Sequence, residues 1–209
     1  MIFSIDTLSN LRRLVKERIS DKRYAHTLGV EKMARYLGEI IIPEKLDELC
    51  VAALLHDISK ELSYDEQLKL LSESSVEYSK EDLSVKPALH SISAIPLVER
   101  EFSTYATPTV LSAIANHTLG ESGMSVFDEI IFISDYTEEG RSYPTCQKVR
   151  EYLLESISKN NSYDENLLAL HSATLDAINY TIESLIKRGE QIHQKTLTTK
   201  GYYEALINK

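Results

Sequence analysis

Apolar residues recur every three or four positions along most of this 209-residue chain, and this spacing constrains its fold more than any other feature. The segments at residues 7–19 and 24–41 both show the pattern, as one face of an α-helix would. Neither Asn-Gly nor Asp-Gly, the dipeptides typical of tight β-hairpins, occurs in the chain. With no internal repeat and no low-complexity linker, the sequence predicts an all-α fold in a single domain over residues 1–209.

Several local signals predict where individual helices begin. A proline opens the segment at residues 43–60, and proline is accepted in the first turn of a helix. Ser63, three residues before a glutamate, has the spacing of a capping box. Thr107, followed directly by proline, predicts another helix start. Residues 126–133 form the most apolar run, which a buried helix explains as well as a strand does, and residues 145–190 are expected to form two further helices.

The charge balance and the cysteine content exclude several classes of protein. The chain has 23 Lys and Arg against 32 Asp and Glu, a net charge of −9, which argues against a nucleic acid polymer as partner. A local cationic pocket for a small anion remains compatible with that balance. No apolar run is long enough to span a membrane, and the first twenty residues lack the apolar core of a signal peptide. Because Cys50 and Cys146 are too few for a disulfide framework, we expect a reduced, cytoplasmic protein that is not bound to a membrane.

Polar side chains interrupt the segments that are expected to be buried. The stretch LLHDISKE places His56, Asp57 and Lys60 directly after apolar residues, although an unpaired buried charge is unfavourable by several kcal/mol. His26 lies among the apolar residues of the predicted second helix, and Asp135 ends the most apolar run. Two imidazoles and two carboxylates suit iron, manganese, zinc or a similar divalent ion, with positions left open for water and substrate. A single histidine in a helix is more often a core or surface residue than a ligand, so only the combination indicates a metal site.

The combined pattern matches a known signature. His26, His56-Asp57 and Asp135 resemble the H…HD…D motif of the HD-domain metal-dependent phosphohydrolases, and more narrowly the chain resembles the YqeK family of bacterial symmetrical diadenosine tetraphosphate hydrolases. The resemblance extends over nearly the whole chain, and these stretches carry it: RYAHTLGVEKMA (23–34), AALLHDISKEL (52–62), ALHSISA (88–94), IANHTLGESGMS (114–125) and FDEIIFISDYTEEGR (127–141). Two positions depart from the family: Ser91 stands where a glycine is usual, and Glu139 where a proline is usual.

The resemblance implies a fold, an activity and a set of ligands. The fold would be an HD-domain helical bundle, with a metal-site core at about residues 20–141 and C-terminal helices at about 145–209. The activity would be metal-dependent hydrolysis of diadenosine tetraphosphate to two ADP by a metal-activated water. The cofactor would be a divalent metal, with iron as the expected ion. The ligands would be His26, His56, Asp57 and Asp135.

The same resemblance assigns further residues to catalysis and substrate binding. Asp57, His90 and His117 are the candidate catalytic residues, and the two histidines would either hold a second ion bridged by Asp57 or face substrate phosphates. The residues expected to bind substrate are His26, Lys60, His90, His117, Thr118 and Arg141. Lys60 is equally well explained as a solvated surface lysine. The alternative for Arg141, which has the stronger case for phosphate binding, is a surface salt bridge with Glu138 or Glu139. The remaining two histidines, His171 and His193, are expected to be structural.

Other functions stay open at this point. An HD scaffold also serves nucleotide phosphohydrolases and phosphodiesterases that act on other nucleotides. A protein of another class, a nucleotide-binding module without catalytic activity, has less need of four metal ligands. The expected partners are a small nucleotide substrate and its ADP product, and a homodimer with a second copy of the chain stays an open alternative.

Overall fold

The computed structural model describes residues 5–208, and all regular structure within that range is helical. The all-α prediction is therefore confirmed. Eleven α-helices follow one another in the described part of the chain: α1 (Ile5–Arg18), α2 (Asp21–Ile41), α3 (Leu46–Leu55), α4 (Tyr64–Ser72), α5 (Lys80–Ser84), α6 (Leu89–Glu101), α7 (Pro108–Asn116), α8 (Val126–Thr137), α9 (Pro144–Ser156), α10 (Tyr163–Arg188) and α11 (Gln194–Ile207). Short 3-10 turns occur at Pro43–Lys45, Lys86–Ala88 and Ser103–Tyr105.

The predicted helix starts are confirmed where the signal is local. Ser63 caps α4 and forms a complete capping box with Glu66. The Thr107 side chain accepts the backbone N–H of Val110 at the start of α7. The apolar run at residues 126–133 is part of helix α8 and not a strand. Because almost every side chain of this helix is buried, its all-round hydrophobicity indicates a central core helix.

The segment at residues 43–60 differs from the single helix that the sequence predicts. Its proline opens a 3-10 turn, and the α-helix that follows ends at Leu55. From there the backbone continues in tighter turns, in which the N–H of Ile58 bonds to the Leu55 carbonyl at 3.1 Å and the N–H of Lys60 to the Asp57 carbonyl at 3.0 Å. The histidine and the aspartate of the LLHDISKE stretch therefore lie just beyond the helix end.

One apolar core joins the N-terminal and C-terminal helices. Leu11, Val30, Leu54, Ile130 and Leu170 come from five different helices and belong to the same buried cluster. Each such leucine or isoleucine contributes roughly 1.5–3 kcal/mol through burial. Helix α8 packs against α2, α3, α7, α9 and α10, so the core holds the ends of these elements in fixed positions. Within residues 5–208, none of the helices is both long and apolar enough to cross a membrane.

Candidate metal centre

The four expected ligands come from three elements and converge at one point. His26 lies on α2, His56 and Asp57 follow α3, and Asp135 lies near the end of α8. His26 Nε2 is 3.0 Å from Asp135 Oδ1 and 3.7 Å from Asp57 Oδ2. His56 Nε2 is 3.5 Å from Asp57 Oδ2 and 3.9 Å from Asp135 Oδ1. Two imidazole nitrogens and two carboxylate oxygens thus face one small volume, a donor set that suits a divalent ion.

The hydrogen bonds of the rings leave the Nε2 atoms free for such an ion. The Nδ1 atoms of His56, His90 and His117 lie 2.6, 2.9 and 2.7 Å from backbone carbonyl oxygens three residues earlier in the chain. Because a carbonyl only accepts, Nδ1 carries the proton and the neutral ring presents a lone pair on Nε2. Among residues 5–208, the buried Nε2 atom of His56 has no hydrogen-bond partner, whereas that of His26 faces Asp135 Oδ1 at 3.0 Å. Buried polar atoms are normally satisfied, and a metal ion would satisfy His56 Nε2.

A second group of ligand atoms shares Asp57 with the first. Asp57 Oδ1 lies 3.1 Å from His90 Nε2 and 3.5 Å from His117 Nε2. The two Nε2 atoms are 3.0 Å apart, and the hydroxyl of Thr118 lies 3.1 and 3.0 Å from them. Asp57 therefore turns one oxygen toward His26 and His56 and the other toward His90 and His117. In each group three residues have ligand atoms within 4.8 Å of one another: His26, His56 and Asp57 in the first, and Asp57, His90 and His117 in the second.

The electrostatics keep the carboxylates ionised and two of the rings neutral. Burial alone would raise the pKa of Asp57, but the neighbouring His56 and the rings of His117 and His90 hold it well below its usual range. The pKa of Asp135 is likewise well below its usual range, because His26 and the positive charge of Arg141 outweigh the effect of burial. Burial lowers the pKa of His90 to about 4 against the opposing effect of the Asp57 charge. These are the protonation states that metal binding requires.

His26 has a different environment from the other three rings. Burial would lower its pKa, but hydrogen bonds to Asp135 and Glu138 raise it to about 9. Without metal, the ring is therefore protonated at neutral pH and lies between two carboxylates. An ion that binds to His26 Nε2 has to displace this proton.

Three cationic side chains contact the same acids and rings. Arg23 Nη1 lies 2.6 Å from Asp57 Oδ2, and Arg141 Nη2 lies 2.5 Å from Asp135 Oδ1. Lys60 Nζ is 2.9 Å from His90 Nε2, and burial lowers the pKa of its amine.

These contacts correct two sequence-based interpretations. Lys60 is not a fully solvated surface lysine, since it lies against His90. Arg141 forms its ion pair with Asp135, and it pairs with neither Glu138 nor Glu139. Glu139 instead pairs with Lys32 at 2.6 Å.

An open cleft of about 900 Å³ lies beside the cluster, with His26 in its wall. Tyr143, at its edge, is 68% exposed. The cleft is lined by Lys22, Arg23, Ala25, His26, Leu28, Gly29, Lys32, Glu61, Glu138, Glu139, Gly140, Arg141, Ser142 and Tyr143. Four of these side chains are cationic and three are acidic, so the cleft has a small net positive charge although the chain as a whole is acidic.

Some site residues could not be identified from the sequence motif. The motif does not include Arg23, although this residue lies three positions before His26 on the same helix, a spacing that puts both on one face. The carboxylate of Glu138 contacts the His26 ring at 3.2 Å, whereas the sequence suggests Glu138 only as a salt-bridge partner of Arg141. The two remaining histidines contact acids in other parts of the fold: His171 Nδ1 lies 2.9 Å from Glu129, and His193 Nε2 lies 3.2 Å from Asp82.

Ser91 and Glu139, the two residues that depart from the family pattern, each form a bond with a nearby group. The hydroxyl of Ser91 donates to the Ala88 carbonyl at 2.9 Å, within its own turn. Glu139 is 67% exposed in its side chain, where it pairs with Lys32. Neither residue contacts a candidate ligand through these bonds.

A comparison with protein families identifies the scaffold. The family model described as HD domain matches residues 23–140, more than half of the chain. The chain belongs to the HD domain family. The match contains all four expected ligands, from His26 to Asp135.

Similar proteins also support the narrower resemblance. A symmetrical bis(5'-nucleosyl)-tetraphosphatase of Halalkalibacterium halodurans is 30% identical over 199 residues, which cover 94% of this chain and 96% of the relative. The protein of the same name from Staphylococcus aureus is 28% identical over 94% of both chains. A crystal structure from Clostridium acetobutylicum, described as a "predicted HD superfamily hydrolase involved in NAD metabolism", superposes with a TM-score of 0.79 at 27% identity and covers 97% of this chain and 98% of its own. The HD-domain helical fold is thereby confirmed.

Proposed function

We propose that this protein is a metal-dependent hydrolase that cleaves diadenosine tetraphosphate symmetrically into two ADP. The observation that carries the proposal is the convergence of His26, His56, Asp57 and Asp135 at the edge of a cationic cleft. The relatives named as symmetrical tetraphosphatases match this chain over nearly its whole length, which supports the substrate and the position of the cut.

The four ligands would hold a divalent ion, for which we propose iron. When bound, such an ion supplies Lewis acidity, which lowers the pKa of water and withdraws charge from a phosphoryl oxygen. Mixed imidazole and carboxylate ligands are compatible with iron, manganese and zinc, so metal analysis of protein purified without oxygen decides the identity. A homodimer is a separate proposal that sedimentation of the purified protein tests.

We propose that His90 and His117 hold a second ion with Asp57. Their Nδ1 atoms are both engaged with carbonyl oxygens, and burial lowers the pKa of each ring. Neutral rings in this state present lone pairs on Nε2 and cannot donate a hydrogen bond to a phosphate oxygen from that atom. A cation between them fits this geometry better than a phosphate does.

Arg23, Lys60 and Arg141 are the groups proposed to bind phosphate. Each of them already lies beside a ligand carboxylate or ring, so a phosphate close to the metal would be within reach of all three. The planar fork of an arginine suits bidentate binding to phosphate oxygens. The cleft volume of about 900 Å³ is in the range of small-molecule sites. Asp57, ionised and buried, is the proposed acceptor of the proton of the attacking water.

Replacement of Asp57 by asparagine tests the proposal. Asp57→Asn keeps the size of the side chain but removes the charge that both ligand groups share. We expect loss of hydrolysis and of bound metal, with an unchanged helical circular dichroism spectrum. Asp164→Asn, an exposed position at the start of α10, is the control and should behave as wild type. Hydrolysis that continues in Asp57→Asn at more than a tenth of the wild-type rate would contradict the proposed role.

A further inference from the structure

Glu138 is a buried carboxylate that directly follows helix α8. Only 3% of the residue is exposed, and its two oxygens have separate partners. Oε1 lies 3.2 Å from His26 Nδ1, and Oε2 accepts the backbone N–H of Gly140 at 2.6 Å. The hydrogen bonds to His26 and to the Gly140 N–H keep the pKa of Glu138 below its usual value, although burial alone would raise it.

This contact distinguishes His26 from the other rings of the cluster. His56, His90 and His117 each place Nδ1 against a carbonyl oxygen of their own turn. The partner of His26 Nδ1 is instead a charged group that lies 112 residues away in sequence. A carboxylate on the far nitrogen of a metal-binding imidazole fixes the ring and makes its other nitrogen a stronger ligand.

Two glycines make room for this carboxylate. A Cβ atom on Gly29, three residues after His26 in helix α2, would overlap Glu138 Oε2. A Cβ atom on Gly140 would lie 2.9 Å from both carboxylate oxygens. Glycine in a helix interior is less favourable than alanine, so helix propensity does not explain Gly29. The close approach of Glu138 does.

We propose that Glu138 is a positioning residue that acts through His26. Its carboxylate holds the imidazole with Nε2 toward the metal, and its charge increases the affinity of the site for the cation. Gly29 is part of the same arrangement, because it admits the carboxylate between α2 and the loop that follows α8. The inference rests on the proposed metal site, and it adds to that site a residue that does not itself contact the ion.

Metal affinity tests the inference without any measurement of activity. Glu138→Gln keeps the length of the side chain and an acceptor for His26 Nδ1 but removes the charge. We expect its dissociation constant for Co²⁺, measured by competition with a chromogenic chelator, to rise about 10- to 100-fold. Glu139→Gln is the matched control, because the neighbouring Glu139 is exposed and pairs with Lys32. It should bind Co²⁺ as wild type does.

Gly29→Ala separates positioning from structural support. The added methyl group meets the Glu138 carboxylate first and the Glu138 Cβ at 3.3 Å, so we expect it to displace the carboxylate and leave the helix intact. The metal-free variant should keep the helical circular dichroism spectrum of wild type, while its Co²⁺ affinity falls. Gly201→Ala, a helical position with no atom within 4 Å of the added carbon, is the control for the helix effect.

The outcomes are distinct. Weaker Co²⁺ binding in Glu138→Gln and Gly29→Ala, with both controls like wild type, supports the inference. Wild-type affinity in both variants overturns it, and so does a Gly29→Ala protein that loses stability while it keeps its affinity. A wild-type protein that binds no Co²⁺ would overturn the metal site itself, and this inference with it.

Discussion

Arg150 lies outside the sequence motif, and its contacts predict the effect of a conservative substitution at this position. On helix α9, its Nε donates to the Thr137 carbonyl at 2.6 Å, and its Nη2 donates to the carbonyls of Glu138 and Arg141, both at 2.7 Å. These carbonyls belong to the end of α8 and the loop behind it. Arg150 therefore holds the backbone that presents Glu138 to His26 and Arg141 to Asp135.

Arg150→Lys keeps the charge but cannot reproduce this geometry. A hydrogen bond from a charged group contributes roughly 1.5–3 kcal/mol, and an ammonium group on a flexible stem restores one or two of the three bonds. Since water replaces part of the loss at this half-buried position, we expect a destabilisation of about 2–3 kcal/mol. For a chain of this size that corresponds to a fall in Tm of roughly 4–12 °C.

Urea unfolding of the metal-free protein measures the change in stability. Steady-state hydrolysis of diadenosine tetraphosphate measures how far a displaced loop lowers kcat/KM. Because a displacement of about 1 Å in a positioning element costs up to about 100-fold in rate, we expect kcat/KM to fall about 10- to 100-fold. Arg188→Lys is the control, since Arg188 is exposed and pairs with Glu190 at 3.2 Å. An Arg150→Lys protein within about 0.5 kcal/mol of wild type, with kcat/KM within twofold, would refute the reasoning.

Three further predictions concern the cluster itself. His90→Ala should lower bound metal from two ions per chain to one, as counted by elemental analysis; an unchanged count with a raised KM would assign His90 to phosphate instead. Arg141→Lys should lower kcat/KM about 10- to 150-fold, because it loses a charge-assisted bond worth ~1.5–3 kcal/mol, and a change within twofold would exclude phosphate binding by its fork. In the metal-free protein the pKa of His26 is raised to about 9, so its contribution to stability is complete below the unfolded pKa of ~6.5 and is lost as the pH rises through the folded value. Urea unfolding at pH 6 and pH 9.5 should show a loss on the order of 3 kcal/mol that is absent in His26→Gln, and equal losses in the two proteins would contradict the assignment.

The parts of the fold that could be predicted from sequence depend on local interactions. The caps at Ser63 and Thr107 bond to backbone groups three residues away, so a short stretch of sequence contains both partners. The end of α3 at Leu55 could not be predicted, because Pro43 and the apolar spacing suggest a helix that continues to Lys60. The tighter turns there place Asp57 among histidines from other elements, and that packing leaves no local signal.

In the candidate site, too, some residues can be predicted from the sequence and others only from the fold. The motif predicts the four candidate ligands because their residue types and spacing are unusual together in apolar segments. Arg23, Glu138 and Arg150 act through partners that only the fold brings near. Arg23 pairs with a residue 34 positions away, and Glu138 with one 112 positions away. Arg150 donates its hydrogen bonds to backbone carbonyls, which any sequence would provide.

The products of diadenosine tetraphosphate hydrolysis in ¹⁸O-labelled water test the central claim most directly. The reaction is run with metal-loaded protein and with protein whose metal a chelator has removed. The nucleotides are then separated, and their masses are measured by mass spectrometry. The proposed function predicts ADP as the sole product, two per substrate, with one ¹⁸O in the terminal phosphate of every second ADP and no reaction without metal. AMP and ATP as products, or hydrolysis at an undiminished rate by the stripped protein, would contradict it.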